Sequence, residues 1–251
     1  MSFKVVIPAR YASSRLPGKP LADIAGKPMI EHVWRRCLDA APAEDVIVAT
    51  DDQRVADACE SFGAVVVMTS PDHASGTDRI AEVAEKLGWQ DDIIAVNVQG
   101  DEPLMPPSLV SAVADLLAGA PKAALATASH PLISVEDLQN PNVVKVVTDC
   151  AGMALYFSRS AIPHERGADR PDLGRYPYQR HIGIYAYRVG TLRALTALPP
   201  APIEELEALE QLRAIYNGMK IIVAEVDEAP PAGVDTEKDL AAVRSLLENG
   251  V

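Results

Sequence analysis

The sequence predicts an α/β protein of three layers (α/β/α), with a mostly parallel central sheet and an antiparallel elaboration in the second half. Three observations lead there. In the first half, short apolar runs alternate with stretches whose apolar residues recur every three or four positions. Those runs are apolar almost throughout, the pattern of strands covered on both faces. In the second half, strand-like runs follow one another without long helical stretches between them, which favours antiparallel pairing.

Phe3–Ile7 reads as the first strand. Pro28 then opens a helix in which Ile30, Val33, Trp34, Cys37, Leu38 and Ala41 share a face, proline suiting a first turn. Val46–Ala49 is the next strand, and Asp51 or Asp52 caps a helix burying Val55, Ala58, Cys59 and Phe62. Ala64–Met68 and Thr77–Leu87 continue the alternation, followed by strand Ile93–Val98, a helix through Leu109–Leu117 and strand Ala123–Ala128. Beyond these, Val143–Val147, Ala154–Phe157 and Ile182–Tyr187 read as strands. A helix over Ile203–Tyr216, a strand at Ile221–Glu225 and a helix from Thr236 to Leu247 complete the pattern. Residues 163–177, rich in proline, glycine and charge, read as a loop that suggests a lid or a subunit contact. No repeat or linker divides residues 1–251, so one domain is expected, with halves at 1–130 and 140–230.

Composition narrows function. Asp and Glu number 35 against 23 Lys and Arg, a net charge of −12, which opposes broad binding to nucleic acid or anionic lipid. The charge is uneven: residues 1–36 hold seven Lys or Arg and two acids, a net of +5, leaving −17 on the other 215. Met1–Ile7 lacks a signal-peptide pattern and no long apolar window occurs, so a cytoplasmic protein without a membrane span is expected. Cys37, Cys59 and Cys150 form no Cys-x-x-Cys pair and read as small buried thiols in a reducing compartment.

In a parallel sheet, ligands gather beyond the carboxyl ends of the strands. The loop Pro8–Leu21 there puts Arg10, Arg15 and Lys19 beside Ser13 and Ser14. Guanidinium forks, an ammonium and hydroxyls suit a polyphosphate. The loop is no P-loop, since Pro20 stands where Ser or Thr is needed, and it has no Gly-x-Gly fingerprint. Asn97-Val98-Gln99-Gly100-Asp101-Glu102-Pro103 follows another strand. A carboxylate at that place can hold a divalent cation against phosphates, and Gly100 permits close backbone approach. Asp235 heads the last helix, as a metal ligand or as an ordinary cap. His73–Arg79 offers Ser75 or Thr77 as a cap, either a plain one or one that presents a helix N-terminus to a ligand. Two carboxylates with cations nearby match magnesium-assisted nucleotidyl transfer. Alternation puts His181, Tyr185 and Tyr187 on one strand face. Helical spacing turns Glu210 and Gln211 away from the stripe Ile203, Leu206, Leu209 and Arg213. The plain alternatives are a core histidine at His181 and a solvated carboxylate at Glu210. Trp34 reads as core, and His32, His73, His130 and His164 show no metal-ligand spacing.

Ten segments in order carry a family resemblance. They include Ile-Pro-Ala-Arg-Tyr-Ala-Ser-Ser-Arg-Leu-Pro-Gly-Lys-Pro-Leu (7–21), Gly-Lys-Pro-Met-Ile (26–30), Val-Ala-Thr-Asp (48–51), His-x-Ser-Gly-Thr-Asp-Arg (73–79) and Asn-Val-Gln-Gly-Asp-Glu-Pro (97–103). The others are Asn-x-Val-Lys-Val-Val (142–147), Ala-Leu-Tyr-Phe-Ser-Arg (154–159), Arg-His-Ile-Gly-Ile-Tyr (180–185), Leu-Glu-Gln-Leu-Arg (209–213) and Gly-Val-Asp-Thr (233–236). With them the chain resembles the 3-deoxy-manno-octulosonate cytidylyltransferases, or CMP-Kdo synthetases, from end to end. The resemblance implies a nucleotide-diphospho-sugar transferase-like fold. It implies transfer of CMP from CTP to the anomeric hydroxyl of 3-deoxy-manno-octulosonate (Kdo), giving CMP-Kdo and pyrophosphate for lipopolysaccharide assembly. It also implies Mg2+ as cofactor and a homodimer, with nucleotide binding in 1–130 and the sugar and dimer contacts in 140–230.

Residue by residue, the resemblance implies that Arg10, Arg15 and Lys19 grip the triphosphate, while the backbone at Ala9 and Arg10 helps to hold the nucleotide. Ser75, Gly76, Arg79, Gln99 and Gly100 would meet the nucleotide, and Asp101 and Asp235 would hold the metal, with Lys19 and Arg15 joining them as the catalytic group. Arg159, His181, Tyr185, Glu210 and Gln211 would contact the sugar, Arg159 or another cation meeting its carboxylate. The loop 163–177 departs most from the family pattern, which leaves an amino-substituted Kdo open as substrate. A CMP-sialic acid synthetase and a non-catalytic CTP-binding module are rival readings. Segments 180–185 and 209–213 favour Kdo, and retention of Asp101 and Asp235 favours turnover.

Overall fold

The computed structural model describes residues 3–12, 16–73, 75–167, 171–227, 230 and 233–248. Along the chain run β1 (Lys4–Ala9), β2 (Asp23–Ile24), β3 (Lys27–Pro28), α1 (Met29–Leu38), β4 (Val46–Thr50), α2 (Gln53–Ser61), β5 (Val65–Met68), α3 (Gly76–Lys86), β6 (Ile94–Asn97), α4 (Pro107–Gly119) and β7 (Leu125–Pro131). Then follow α5 (Val135–Gln139), β8 (Lys145–Thr148), β9 (Ala154–Ser158), β10 (Gln179–Arg188), α6 (Val189–Thr196), α7 (Pro202–Glu207), α8 (Gln211–Tyr216), β11 (Ile221–Glu225) and α9 (Glu237–Glu248).

The sheet order is β11-β7-β10-β6-β1-β4-β5, with β8 and β9 attached beside β10. β1 lies parallel to β4 and β6, and β5 is parallel to β4. Val5, Val6 and Ile7 are all fully buried because the sheet is covered on both faces. Val5 and Ile7 pack with Ile30, Val33, Trp34, Val110 and Leu117, on the side of α1 and α4. Val6 packs with Ile80, Val83, Leu192 and Leu195, on the side of α3 and α6. The predicted three layers are therefore present. Local chemistry sets the helix starts: Asp52 accepts from the Arg54 amide at the head of α2, and Ser75 and Asp78 form a reciprocal capping box on α3.

The expected antiparallel elaboration is present: β10 runs antiparallel between β6 and β7, and β8 with β9 extends it. Two expectations are corrected. The single helix expected over Ile203–Tyr216 is two short helices, broken where Ala208 adopts a left-handed φ of 49°. Cys37 and Cys59 are buried as expected, burial pushing each thiol up to about 12, but Cys150 is exposed. α5 and α6 had no counterpart in the sequence reading. No helix among the described residues is long and apolar enough to cross a membrane.

β10 also carries an irregularity that bears on function. Against β7, Ile182 pairs with Ala128, yet the next pair is Tyr185 with Thr127. The extra residues around Gly183 form a bulge, a device that re-aims side chains. The Thr127 hydroxyl fills it, lying 2.7 Å from the Ile184 carbonyl and 2.9 Å from His181 Nε2.

Candidate functional site

Glycines mark where the loops beyond β1, β6 and the segment before α9 converge. A Cβ on Gly100 would stand 2.7 Å from the Pro8 carbonyl oxygen, a distance that only a bare Cα permits. One on Gly233 would stand 3.2 Å from Glu102 Cγ and 3.3 Å from the Asp101 carbonyl oxygen. The Val234 amide donates to that same carbonyl at 2.8 Å. Val234 is buried with Leu16, Ile24, Met29, Leu240 and Val243, so α9 and the residues following β1 share one small core. These contacts deliver Asp235 to the mouth of the site.

The carboxylates of Asp101 and Asp235 meet on one cation. Lys19 Nζ lies 2.5 Å from Asp101 Oδ2, 3.1 Å from Asp235 Oδ1 and 2.7 Å from the Val234 carbonyl oxygen. Gly18, at a φ of 70°, begins the turn that aims Lys19 inward. The ammonium is more enclosed, at 13%, than the carboxylates at 31% and 47%, so both remain open to a ligand arriving from solvent. Two hard oxygen donors around a stand-in cation fit a magnesium ion, which binds through one or two carboxylates plus substrate phosphates. Among the described residues no cluster of three or more His, Cys, Asp or Glu offers a fuller cage. Next to them, burial and then the Asp101 charge push Glu102 up to about 8, and its Oε2 has no partner among the described residues.

Arg10 reaches across to the His73 carbonyl, tying the loop after β1 to the one after β5. The His73 ring pairs with Glu82. Burial opposes the Glu82 charge, but Lys86, the Ser70 amide and His73 outweigh it and hold that carboxyl down to about 2.

A second cavity lies alongside, lined by Gly76, Asn97, Gln99, Tyr185, Glu210 and Gln211 among others. It brings together two residues expected at the nucleotide and three expected at the sugar. Its walls are weakly polar and buried. Burial raises the Glu210 carboxyl, against the Thr77 hydroxyl and Arg213. Burial likewise holds the Tyr185 and Tyr187 phenols well above their ordinary range, so both stay protonated. Asn97 Oδ1 and Gln211 Nε2 are buried without a partner among the described residues, one acceptor and one donor left for a ligand.

The remaining site expectations divide. Ala9 is buried at the end of β1, next to where a Cβ on Gly100 would stand. The Ser75 hydroxyl is engaged in the α3 cap with Asp78. Arg79 is fully buried, its guanidinium 2.8 Å from Asp51 Oδ2 and bonded to the Thr69 hydroxyl, so it braces the loops after β4 and β5 rather than facing the cavity. Arg159 gives its guanidinium to backbone carbonyls. The His181 ring lies 5.4 Å from that of Tyr185 and burial pushes its pKa down to about 3, so it is neutral; it lines a separate small cavity with Glu102, Arg180 and Gly233. Ser13, Ser14 and Arg15 lie outside the described residues. Sequence reasoning missed Asn97 and Thr77 as lining residues; a polar residue ending the apolar run of β6 was the available signal for Asn97.

Loops bearing paired carboxylates and a lysine at the carboxyl edge of a parallel sheet define a nucleotidyltransferase-like architecture. The cytidylyltransferase family model matches residues 4–221. A 3-deoxy-manno-octulosonate cytidylyltransferase of Idiomarina loihiensis is 56% identical over the whole of both chains. Proteins of the same name from Pseudomonas fluorescens and Vibrio vulnificus are each 56% identical, with 98% of both chains covered. The solved structure of a CMP:2-keto-3-deoxy-manno-octonic acid synthetase complexed with CTP superposes with a TM-score of 0.92 at 44% identity, covering 100% of both chains. A Leptospira borgpetersenii cytidylyltransferase, at 16% identity and a TM-score of 0.64, shares the fold. The chain belongs to the cytidylyltransferase family, in its 3-deoxy-manno-octulosonate branch.

Proposed function

We propose that this chain transfers CMP from CTP to the anomeric hydroxyl of Kdo, releasing pyrophosphate, with Mg2+ held between Asp101 and Asp235. The observation that carries the reading is the convergence of those two carboxylates on Lys19, beside a polar cavity that Glu210 and Gln211 line. The reaction asks for alignment and charge neutralisation more than covalent chemistry. Lys19 supplies a fixed positive charge for the triphosphate, and Arg10, tethered to the His73 carbonyl, a second. Bound magnesium would neutralise phosphate charge and lower the pKa of the attacking hydroxyl. Gln99 and Asn97 supply hydrogen bonds at the junction of nucleotide and sugar, while Tyr185, Glu210 and Gln211 orient the acceptor from the opposite wall.

The same reading assigns the sugar to residues 140–230, a homodimer contact to that half, a cytoplasmic location and a role in lipopolysaccharide synthesis. The test is pyrophosphate release with CTP, Mg2+ and Kdo, an amino-substituted Kdo or a sialic acid in parallel. Release with Kdo and loss on chelation of the metal are expected. Release with sialic acid alone, or with no sugar, overturns the assignment.

A further inference from the structure

The elbow between α7 and α8 carries Glu210 and Gln211 into the cavity, and three charged side chains outside the cavity hold its shape. The last carbonyls of a helix need partners that the helix itself cannot supply. At the end of α7 they come from Arg159, whose Nε donates to the Glu207 carbonyl at 2.7 Å and whose Nη2 donates to the Ala208 carbonyl at 3.2 Å. Ala208 is the left-handed residue at which the chain turns. The Glu207 carboxylate answers on the other side. Oε2 accepts from the Arg159 amide at 2.9 Å and Oε1 from the Ser158 hydroxyl at 2.7 Å. Beneath them Lys145 is fully buried, its ammonium donating to the carbonyls of Arg159 (2.5 Å), Val143 (2.5 Å) and Asn140 (2.9 Å). A buried ammonium is costly unless every donor is met, and here three carbonyls meet its three hydrogens.

We infer that Lys145, Arg159 and Glu207 form a brace that fixes the α7–α8 elbow, and that they act on the sugar substrate through Glu210 and Gln211 without touching it. They are positioning residues, and Arg159 in particular serves here rather than as the partner of the sugar carboxylate. The second hydrogen-bonded layer, Glu204 with Arg213 at 2.6 Å and the Ala201 amide at 2.9 Å, ties α7 to α8 from the far side. The elbow is therefore clamped at both ends, which short helices of six residues each need, since neither is stable alone.

The inference rests on the proposed transfer to Kdo for its kinetic arm, and a second arm stands without it. In the kinetic arm, Glu207→Gln and Arg159→Lys are compared singly and together. Each is expected to raise the KM for the sugar about fivefold to tenfold while the KM for CTP stays within about twofold, because one hydrogen bond to a charged group is lost. The double variant is expected to resemble the worse single one, since members of one network are not additive. Glu207→Asp is expected to recover part of the loss. In the second arm, hydrogen exchange on the unliganded protein is expected to quicken at residues 208–212 in Glu207→Gln and Lys145→Met, with α3 and β6 unchanged. Unchanged exchange at the elbow overturns the brace whatever the substrate. Wild-type sugar KM in Glu207→Gln, or fully additive losses in the double variant, overturns its link to the sugar. Failure of the wild-type protein to use Kdo touches the functional reading alone.

Discussion

The two ends of the site solve opposite problems. At the end built by the loops after β1 and β6, full charges stand at a solvent-open mouth, and backbone contacts through Gly100, Gly233 and Val234 hold them. At the end built by β10 and the α7–α8 elbow, the groups facing the cavity are buried and mostly neutral, and the full charges sit behind them as bracing. On the proposed reading, charge stands where a triphosphate and a divalent cation would be met, and is kept back where the sugar would be held. In a wet mouth a charge stays solvated until its ligand arrives. In a buried cavity an unpaired charge would cost more than it gives.

That contrast can be broken from the charged end first. Asp101→Asn and Asp235→Asn are each expected to lower pyrophosphate release by about 10²–10³-fold with little change in thermal stability, as for removal of a preorganised electrostatic group. Wild-type rates would show the carboxylates to be misassigned. Lys19→Met is expected to cost about 10²-fold in turnover while tightening Mn2+ binding to the free protein, because the competing ammonium is gone. Manganese titration followed by electron spin resonance checks the second half of that statement. At the neutral end the effect is smaller. Glu210→Gln keeps the shape of a carboxyl that burial already biases toward protonation, so the sugar KM is expected to rise by about tenfold or less.

The smallest effect concerns pH. His181 titrates at about 3 in the fold, against roughly 6.5 in an unfolded chain. Between those values the unfolded state binds the extra proton. Its contribution to stability is therefore fully present above pH 6.5 and declines as pH falls toward 3. His181→Asn is expected to flatten the acid side of a Tm-against-pH curve measured between pH 4 and pH 7; an unaltered slope would place the titration elsewhere.

The sequence disclosed the charged end better than the neutral one, for a physical reason. Lys19, Asp101 and Asp235 sit in segments whose glycines and prolines punctuate the chain, and their residue types announce their chemistry. The strands β1, β4 and β6 were legible because both faces are buried, leaving unbroken apolar runs. The place of β10 inside the sheet was not, since an antiparallel strand between two others carries the same apolar pattern as one at the edge. Nor was the break at Ala208: an alanine at a φ of 49° leaves no signature in helical spacing, and the partners that stabilise it, Arg159 and Lys145, lie many residues earlier. Arg159 illustrates the point: the family resemblance implies a sugar contact there, while in this structure its guanidinium donates to three backbone carbonyls.

The Lys19–Asp235 contact spans 216 positions of chain. On a ribosome the segments of β1, β4 and β6 and their loops are synthesised long before Asp235. The cationic loop is therefore present early, but its second carboxylate arrives only with α9. Contacts of such separation are late to form because the closure entropy is met last. A growing or truncated chain that stops before residue 235 would hold nucleotide-facing loops without the pair of carboxylates, and competence would switch on in a single final docking step.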